Sequence, residues 1–117
     1  MSLDWKRHLS EAFAHIKTLG LLSPQTLTGY RALHAAGAET NRLSAKTREL
    51  ICIAVAITTR CDTCIANHVE KAIAAGATQE EIAEALGVAV AMNAGAALAY
   101  SARAIEAYGA FADKSVG

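Results

Sequence analysis

The stretch from Ser44 to His68, SAKTRELICIAVAITTRCDTCIANH, places an apolar helix directly before a pair of cysteines. Ser44 is a favoured helix N-cap residue. The segment ELICIAVAI that follows is apolar almost all round, which is typical of a helix at the centre of a core. Because the turn TRCD is short, the next helix, from about Asp62 to Ala75, is expected to pack antiparallel to the first. These two helices are the predicted centre of the fold.

The remaining segments carry signals for helices. Ser23 followed by Pro24 is typical of a helix start. Thr78 with Glu81 three residues later forms a capping box, which indicates another start. The sequence contains no alternating apolar pattern bounded by turns, as strands would require. We therefore predict a single all-α domain over residues 1–117 with about six helices, and the cysteine motif at the start of a central one.

The composition predicts a small core that needs help from other chains. Alanine occupies 27 of the 117 positions, whereas only six residues are aromatic. A chain of this length buries only about two thirds of its unfolded surface when it folds alone. Large side chains are too few to fill much interior volume, so closely approaching helices and neighbouring subunits are expected to do so.

Charge and targeting signals exclude several functional classes. Eleven basic and eleven acidic residues cancel, which removes the electrostatic basis for binding nucleic acid or an anionic membrane. The N-terminal residues show no secretory signal pattern, so the cytoplasm is the expected location. Three cysteines are too few for a secreted disulfide framework. A CxxC pair in a reducing compartment indicates catalysis or metal binding instead.

An uncharged run near the C-terminus has the length of a membrane span. It extends from Ala85 to Ala102. The fifth predicted helix weakens within this run, around 87–95, and a sixth helix continues to about residue 112. Alanine supplies eight of the 18 residues of the run, and Asn93 interrupts it, so its preference for a bilayer is weak. We expect a helix buried at a subunit interface rather than a membrane span.

Four residues form a candidate catalytic group: Cys61, Cys64, His68 and Glu49. Two thiols three residues apart at a helix start can close into a disulfide, and the helix N-terminus favours the thiolate. Cys64 and His68 are four residues apart on one helix face, so the imidazole is a candidate base. Antiparallel packing brings Glu49 within about a turn of His68, where it can hold the imidazole directly or through a water. The order Glu49, His68, Cys64 predicts a proton relay.

Other interpretations of these residues remain open. The same four side chains have the number and type of donors for a zinc site, although the sequence lacks a second ligand pair such as CxxC zinc sites usually have. A static disulfide and a non-catalytic oligomerisation module are two further alternatives. Cys52, inside the apolar run, is expected to be a small core residue. His8, His15 and His34 have no partner at a regular spacing and are expected at the surface.

The motif and its flanks resemble a known family. Glu49, eleven residues and then Cys61xxCys64xxxHis68, preceded by LSAKTRELI and followed by GATQEEIAEAL, is similar to the AhpD-like alkylhydroperoxidase core of the carboxymuconolactone decarboxylase superfamily. The resemblance covers about residues 37–95. It implies an all-helical domain that assembles into homotrimers or homohexamers.

The resemblance also implies an activity and a role for each residue. The activity is thiol-dependent reduction of a hydroperoxide or disulfide, with Cys64 as attacking thiolate, Cys61 as resolving thiol, and Glu49 with His68 as proton relay. No bound cofactor is implied; an external dithiol, such as a lipoyl group or a thiol protein, reopens the disulfide. AhpD has another relay histidine where this chain has Thr63, which suggests slower peroxide turnover or a different substrate. Other superfamily branches decarboxylate lactones without a redox dithiol.

Overall fold

A computed structural model describes residues 3–113, and their regular secondary structure is entirely helical. The all-α prediction is confirmed. The helices, in chain order, are α1 (Trp5–Leu22), α2 (Pro24–Thr40), α3 (Ala45–Thr59), α4 (Asp62–Ala74) and α5 (Gln79–Ala112).

The predicted fifth and sixth helices are one continuous helix, so the expected number of six was one too high. Helix α5 begins at the capping box of Thr78 and Glu81 and runs for 34 residues. Glycines at positions 87 and 95 predict a weak region in the helix. A glycine inside a helix costs only about 1 kcal/mol relative to alanine, and the surrounding residues are mainly good helix formers. The two glycines are therefore tolerated without a break.

The α3–α4 connection has the short geometry that the sequence predicts. Helix α3 ends at Thr59, and its C-cap residue Arg60 adopts the left-handed conformation with φ of 57°. Cys61 then caps α4, since its Sγ accepts a hydrogen bond from the backbone N–H of Cys64 at 3.2 Å. This compact turn folds α4 back along α3, so the start of α3 lies beside the second half of α4.

The core is small and is centred on α3, which packs against α4 and α5, while α1 contacts α2 and α4. Ile53 is the one large side chain that is fully buried among the described residues, with 1% exposure. The other buried apolar residues are Leu9, Ala56, Ala72 and Ala89. Most of them are alanines, which lets the helix backbones approach closely but contributes little apolar area.

The single chain is extended rather than compact. Its radius of gyration is 20.0 Å, compared with about 13 Å expected for a compact domain of this length. Its accessible surface is 9177 Å², whereas a folded monomer of this mass exposes about 6,000 Å². The chain alone therefore leaves about 3,000 Å² more surface in contact with solvent than a compact domain would.

Much of the excess surface belongs to α5. Ala89 is the one buried residue of this helix, so the burial expected for the segment 85–102 does not occur within one chain. By length and composition α5 is apolar enough to cross a membrane, but one such helix is weak evidence for a span. Its exposed large apolar residues are Val88, Val90, Met92, Leu98, Tyr100, Ile105, Tyr108 and Phe111.

Substitutions of Ile53 test the centre of the core. We expect Ile53→Val to lower the free energy of unfolding by about 0.5–1.5 kcal/mol and Ile53→Ala by about 2–5 kcal/mol, because the second leaves a larger cavity between the helices. Denaturant unfolding followed by circular dichroism measures both. Losses below about 0.5 kcal/mol for both variants would show that Ile53 is not at the centre of the core.

Candidate functional site

A direct hydrogen bond joins Glu49 on α3 to His68 on α4. The Nδ1 atom of His68 lies 2.6 Å from Oε2 of Glu49, and the two side chains are 8% and 16% exposed. An ionised carboxylate only accepts hydrogen bonds, so Nδ1–H of His68 is the donor. This bond fixes the orientation of the ring. The other ring nitrogen, Nε2, takes no part in it and can accept a proton. The structure thus brings together the two residues that the sequence suggested as a relay.

Cys61 and Cys64 form a disulfide at the start of α4. Their Cα atoms are 5.2 Å apart, within the usual range for a disulfide. Cys61 is the N-cap residue and Cys64 lies in the first turn, where the helix dipole and the unpaired backbone N–H groups stabilise a thiolate. Cys64 is one helical turn before His68 on the same face of α4. The cysteine pair therefore lies about one turn of α4 before the residue that Glu49 holds.

His34 is a site residue that the sequence analysis missed. Its ring stacks on that of His68 with centroids 5.5 Å apart and planes 15° from parallel. Tyr30, one turn earlier on α2, contacts His34 in turn, with ring centroids 5.9 Å apart. His34 is exposed, as expected, but it covers His68, which is buried. No local spacing signals this contact, because it depends on how α2 meets α4.

His8 also has a partner, contrary to expectation. Its Nε2 lies 3.1 Å from the hydroxyl oxygen of Thr63, which stands between the two cysteines in the sequence, and its ring is nearly perpendicular to that of Trp5, with centroids 6.4 Å apart. Position 63 is where the resemblance leads one to expect a relay histidine. Here the side chain at that position, Thr63, is instead hydrogen bonded to an imidazole from α1.

Cys52 lies beside the Glu49–His68 pair rather than deep in the core. Each of these three side chains offers a ligand atom, and the three atoms all lie within 4.8 Å of one another. Cys52 is a free thiol of intermediate exposure. Burial raises the pKa of the Cys52 thiol and the negative charge of Glu49 raises it further, while Lys71 opposes the shift. The four zinc ligands suggested by the sequence were Glu49, Cys61, Cys64 and His68. In this structure the two cysteines of that set are bonded to each other in a disulfide.

Two cavities lie near these residues. One, of about 220 Å³, adjoins the His34–His68 stack and is lined by Tyr30, Arg31, His34, Ala35 and Lys71. The other, of about 440 Å³, lies between α1 and α4 and is mostly apolar. Its lining residues are Trp5, Lys6, Leu9, Ile65, Ala66, Val69, Glu70 and Ile73. The first cavity thus carries the cationic side chains of Arg31 and Lys71, whereas the second is mostly apolar.

Comparison with protein families identifies the chain. The sequence profile of the carboxymuconolactone decarboxylase family matches residues 24–107. This chain belongs to the carboxymuconolactone decarboxylase family. The match includes all four candidate catalytic residues and most of α5. The resemblance drawn from the cysteine motif is confirmed at the level of the family.

Relatives and a solved structure agree with this assignment. An uncharacterized protein of Haemophilus influenzae is 55% identical over 72 residues, covering 62% of this chain and 64% of its own length. An uncharacterized protein of Cupriavidus necator is 30% identical over 92 residues, covering 79% of this chain and 81% of its own. The crystal structure of a carboxymuconolactone decarboxylase family protein from Legionella pneumophila matches with a TM-score of 0.73 and 33% identity. It covers 94% of this chain and 98% of that one.

Alkylation of Cys52 tests the electrostatics of the site. In a Cys61→Ser, Cys64→Ser background, we expect Glu49→Gln to speed reaction with iodoacetamide near pH 8. Removing the carboxylate charge lowers the pKa of Cys52 and so increases the thiolate fraction. Mass spectrometry measures the rates, and Glu84→Gln, a change at an exposed residue of α5, is the control. An unchanged or slower rate in Glu49→Gln would contradict the assigned effect of Glu49 on Cys52.

Proposed function

We propose that the protein is a thiol-dependent peroxidase or disulfide reductase that uses the Cys61–Cys64 pair with Glu49 and His68 as a proton relay. The observation that carries the proposal is the hydrogen bond from His68 to Glu49, one turn from a cysteine pair that closes into a disulfide. A static disulfide would not require a buried imidazole held by a carboxylate at that place. Membership of the carboxymuconolactone decarboxylase family supports the fold of such an enzyme.

The first half of the proposed cycle oxidises Cys64. Nε2 of His68 takes the thiol proton, and Glu49 stabilises the resulting imidazolium through Nδ1–H. The thiolate attacks the terminal oxygen of a hydroperoxide, and the O–O bond breaks. Cys64 becomes a sulfenic acid, and the alcohol product leaves with the proton from His68. The hydroperoxide is reduced by two electrons, which come from the sulfur.

The second half restores the dithiol. The thiol of Cys61 attacks the sulfenic sulfur of Cys64, a disulfide bond forms, and one water leaves. An external dithiol then reduces the disulfide by thiol exchange and is itself oxidised. A disulfide substrate would enter the same cycle by attack of the Cys64 thiolate on its sulfur. The helix position of Cys61 makes it the alternative attacking thiol, as in thioredoxin-like motifs.

Serine variants test this cycle. With a hydroperoxide and a dithiol such as dihydrolipoamide, we expect Cys64→Ser to abolish peroxide consumption, because the attacking sulfur is lost. Without the dithiol, Cys61→Ser should consume one equivalent of peroxide and keep a sulfenic acid on Cys64, detectable by a dimedone adduct in mass spectrometry. Peroxide consumption that is normal in both variants would contradict the proposal, and an adduct only on Cys61 in Cys64→Ser would reverse the two roles.

Loss of the relay should slow the cycle without blocking it. We expect Glu49→Gln and His68→Gln each to reduce the rate by about 10²–10⁴-fold, the usual contribution of a general base.

A lactone decarboxylase would instead act without the cysteine pair, so lactone turnover in the Cys61→Ser, Cys64→Ser double variant would favour that branch of the family.

We also propose that the active form is a cytoplasmic homotrimer or homohexamer without a bound cofactor. The surface excess of about 3,000 Å² per chain is several times the roughly 800 Å² that each partner buries in a standard interface. A chain that contacts more than one neighbour along α5 would cover this excess. With neighbouring chains packed along it, α5 would be an interface helix instead of a membrane span.

The solution mass tests the assembly. Light scattering should give three or six times the chain mass of 12.2 kDa. Leu98→Glu should shift the mass toward the monomer, because Leu98 is 78% exposed on the apolar surface of α5 and a carboxylate there would lose hydration on association. Glu84→Gln, also on α5, is the control. A monomer of unaltered sequence would contradict the proposed assembly.

A further inference from the structure

A third cysteine lies where neither the proposed cycle nor the apolar core uses it. Glu49 and Cys52 are three residues apart on α3 and therefore share a helix face. His68 faces them from α4, and the three ligand atoms lie within 4.8 Å of one another. All three side chains are partly or fully buried, so a ligand bound among them would be largely shielded from water.

We propose that Glu49, Cys52 and His68 bind one Zn²⁺ ion per chain. A carboxylate, a thiolate and an imidazole are the three protein donors that zinc accepts, and the thiolate disfavours Mg²⁺ and Ca²⁺. Three protein ligands leave the fourth tetrahedral position for water or a small ligand. This donor set differs from the one that the sequence suggested, since the cysteine comes from the apolar helix and not from the CxxC pair.

The required rearrangement is small. Tetrahedral zinc with usual bond lengths separates its ligand atoms by about 3.3–3.6 Å. The 2.6 Å contact between Glu49 and His68 therefore has to open by about 0.7 Å, with the ion replacing the proton that they share. Cys52 has to approach its partners by no more than about 1.3 Å. Rotation of side chains on two fixed helices supplies movements of this size.

Zinc at this position would occupy both members of the relay. If the proposed function holds, zinc binding switches the dithiol cycle off, because His68 can no longer take a proton. That consequence rests on the proposed function, whereas the metal site itself does not. The test therefore measures metal binding in a protein that lacks the CxxC thiols and cannot perform the cycle.

The experiment uses a Cys61→Ser, Cys64→Ser double variant, in which Cys52 is the one remaining cysteine. Zn²⁺ is titrated against a chromophoric chelator, and Co²⁺ serves as a spectroscopic substitute for zinc. We expect one Zn²⁺ per chain and a sulfur-to-cobalt charge-transfer band, which only Cys52 can supply. Adding Cys52→Ala should remove the band and weaken zinc binding. Loss of a residue that only supports a ligand weakens metal binding by about 10–100-fold, and loss of the ligand Cys52 should weaken it more.

Circular dichroism checks that each variant is folded, and the cobalt band of the double variant decides the question even if Cys52→Ala does not fold. Absence of that band would overturn the proposal. Equal zinc affinity with and without Cys52, in folded proteins, would also overturn it. If the reduced chain of unaltered sequence binds zinc and the double variant does not, the ion binds at the CxxC pair. That result would reject the proposed site.

Discussion

The hydrogen bond between Glu49 and His68 is the interaction on which the site depends. Both side chains are largely removed from water, and a buried carboxylate is costly unless another group compensates its lost hydration. The imidazole supplies this compensation and is itself held in one orientation. Because the two residues belong to different helices, the bond also fixes how the start of α3 lies against α4. One contact thus links the packing of the central hairpin to the chemistry proposed for its cysteines.

The scaffold around this bond is adapted to close helix packing rather than to a large core. Alanines let α3 approach α4 and α5 closely, and Ile53 is the one large side chain that is fully buried among the described residues. The consequence is an extended chain whose longest helix is almost entirely exposed. The site on the short central hairpin is held by contacts within one chain, whereas covering the exposed surface of α5 would need the assembly proposed above.

Local sequence signals predicted the central hairpin, because caps and a short turn act over a few residues. Ser44, the turn at Arg60 and the Thr78 capping box all lie where they were expected. The break in α5 was wrongly predicted, since glycine propensity is a small effect within a long run of helix formers. The contacts of His34 with His68 and of His8 with Thr63 join residues distant in sequence. They depend on tertiary packing, which no spacing within one helix encodes.

The tautomer of His68 tests the central claim most directly. Nitrogen-15 NMR of the imidazole distinguishes a proton on Nδ1 from a proton on Nε2. The geometry predicts that neutral His68 carries its proton on Nδ1, with a strongly downfield proton resonance that disappears in Glu49→Gln. A neutral ring protonated on Nε2, or a resonance unaffected by Glu49→Gln, would show that the carboxylate does not hold the imidazole, and the account of the site would fail.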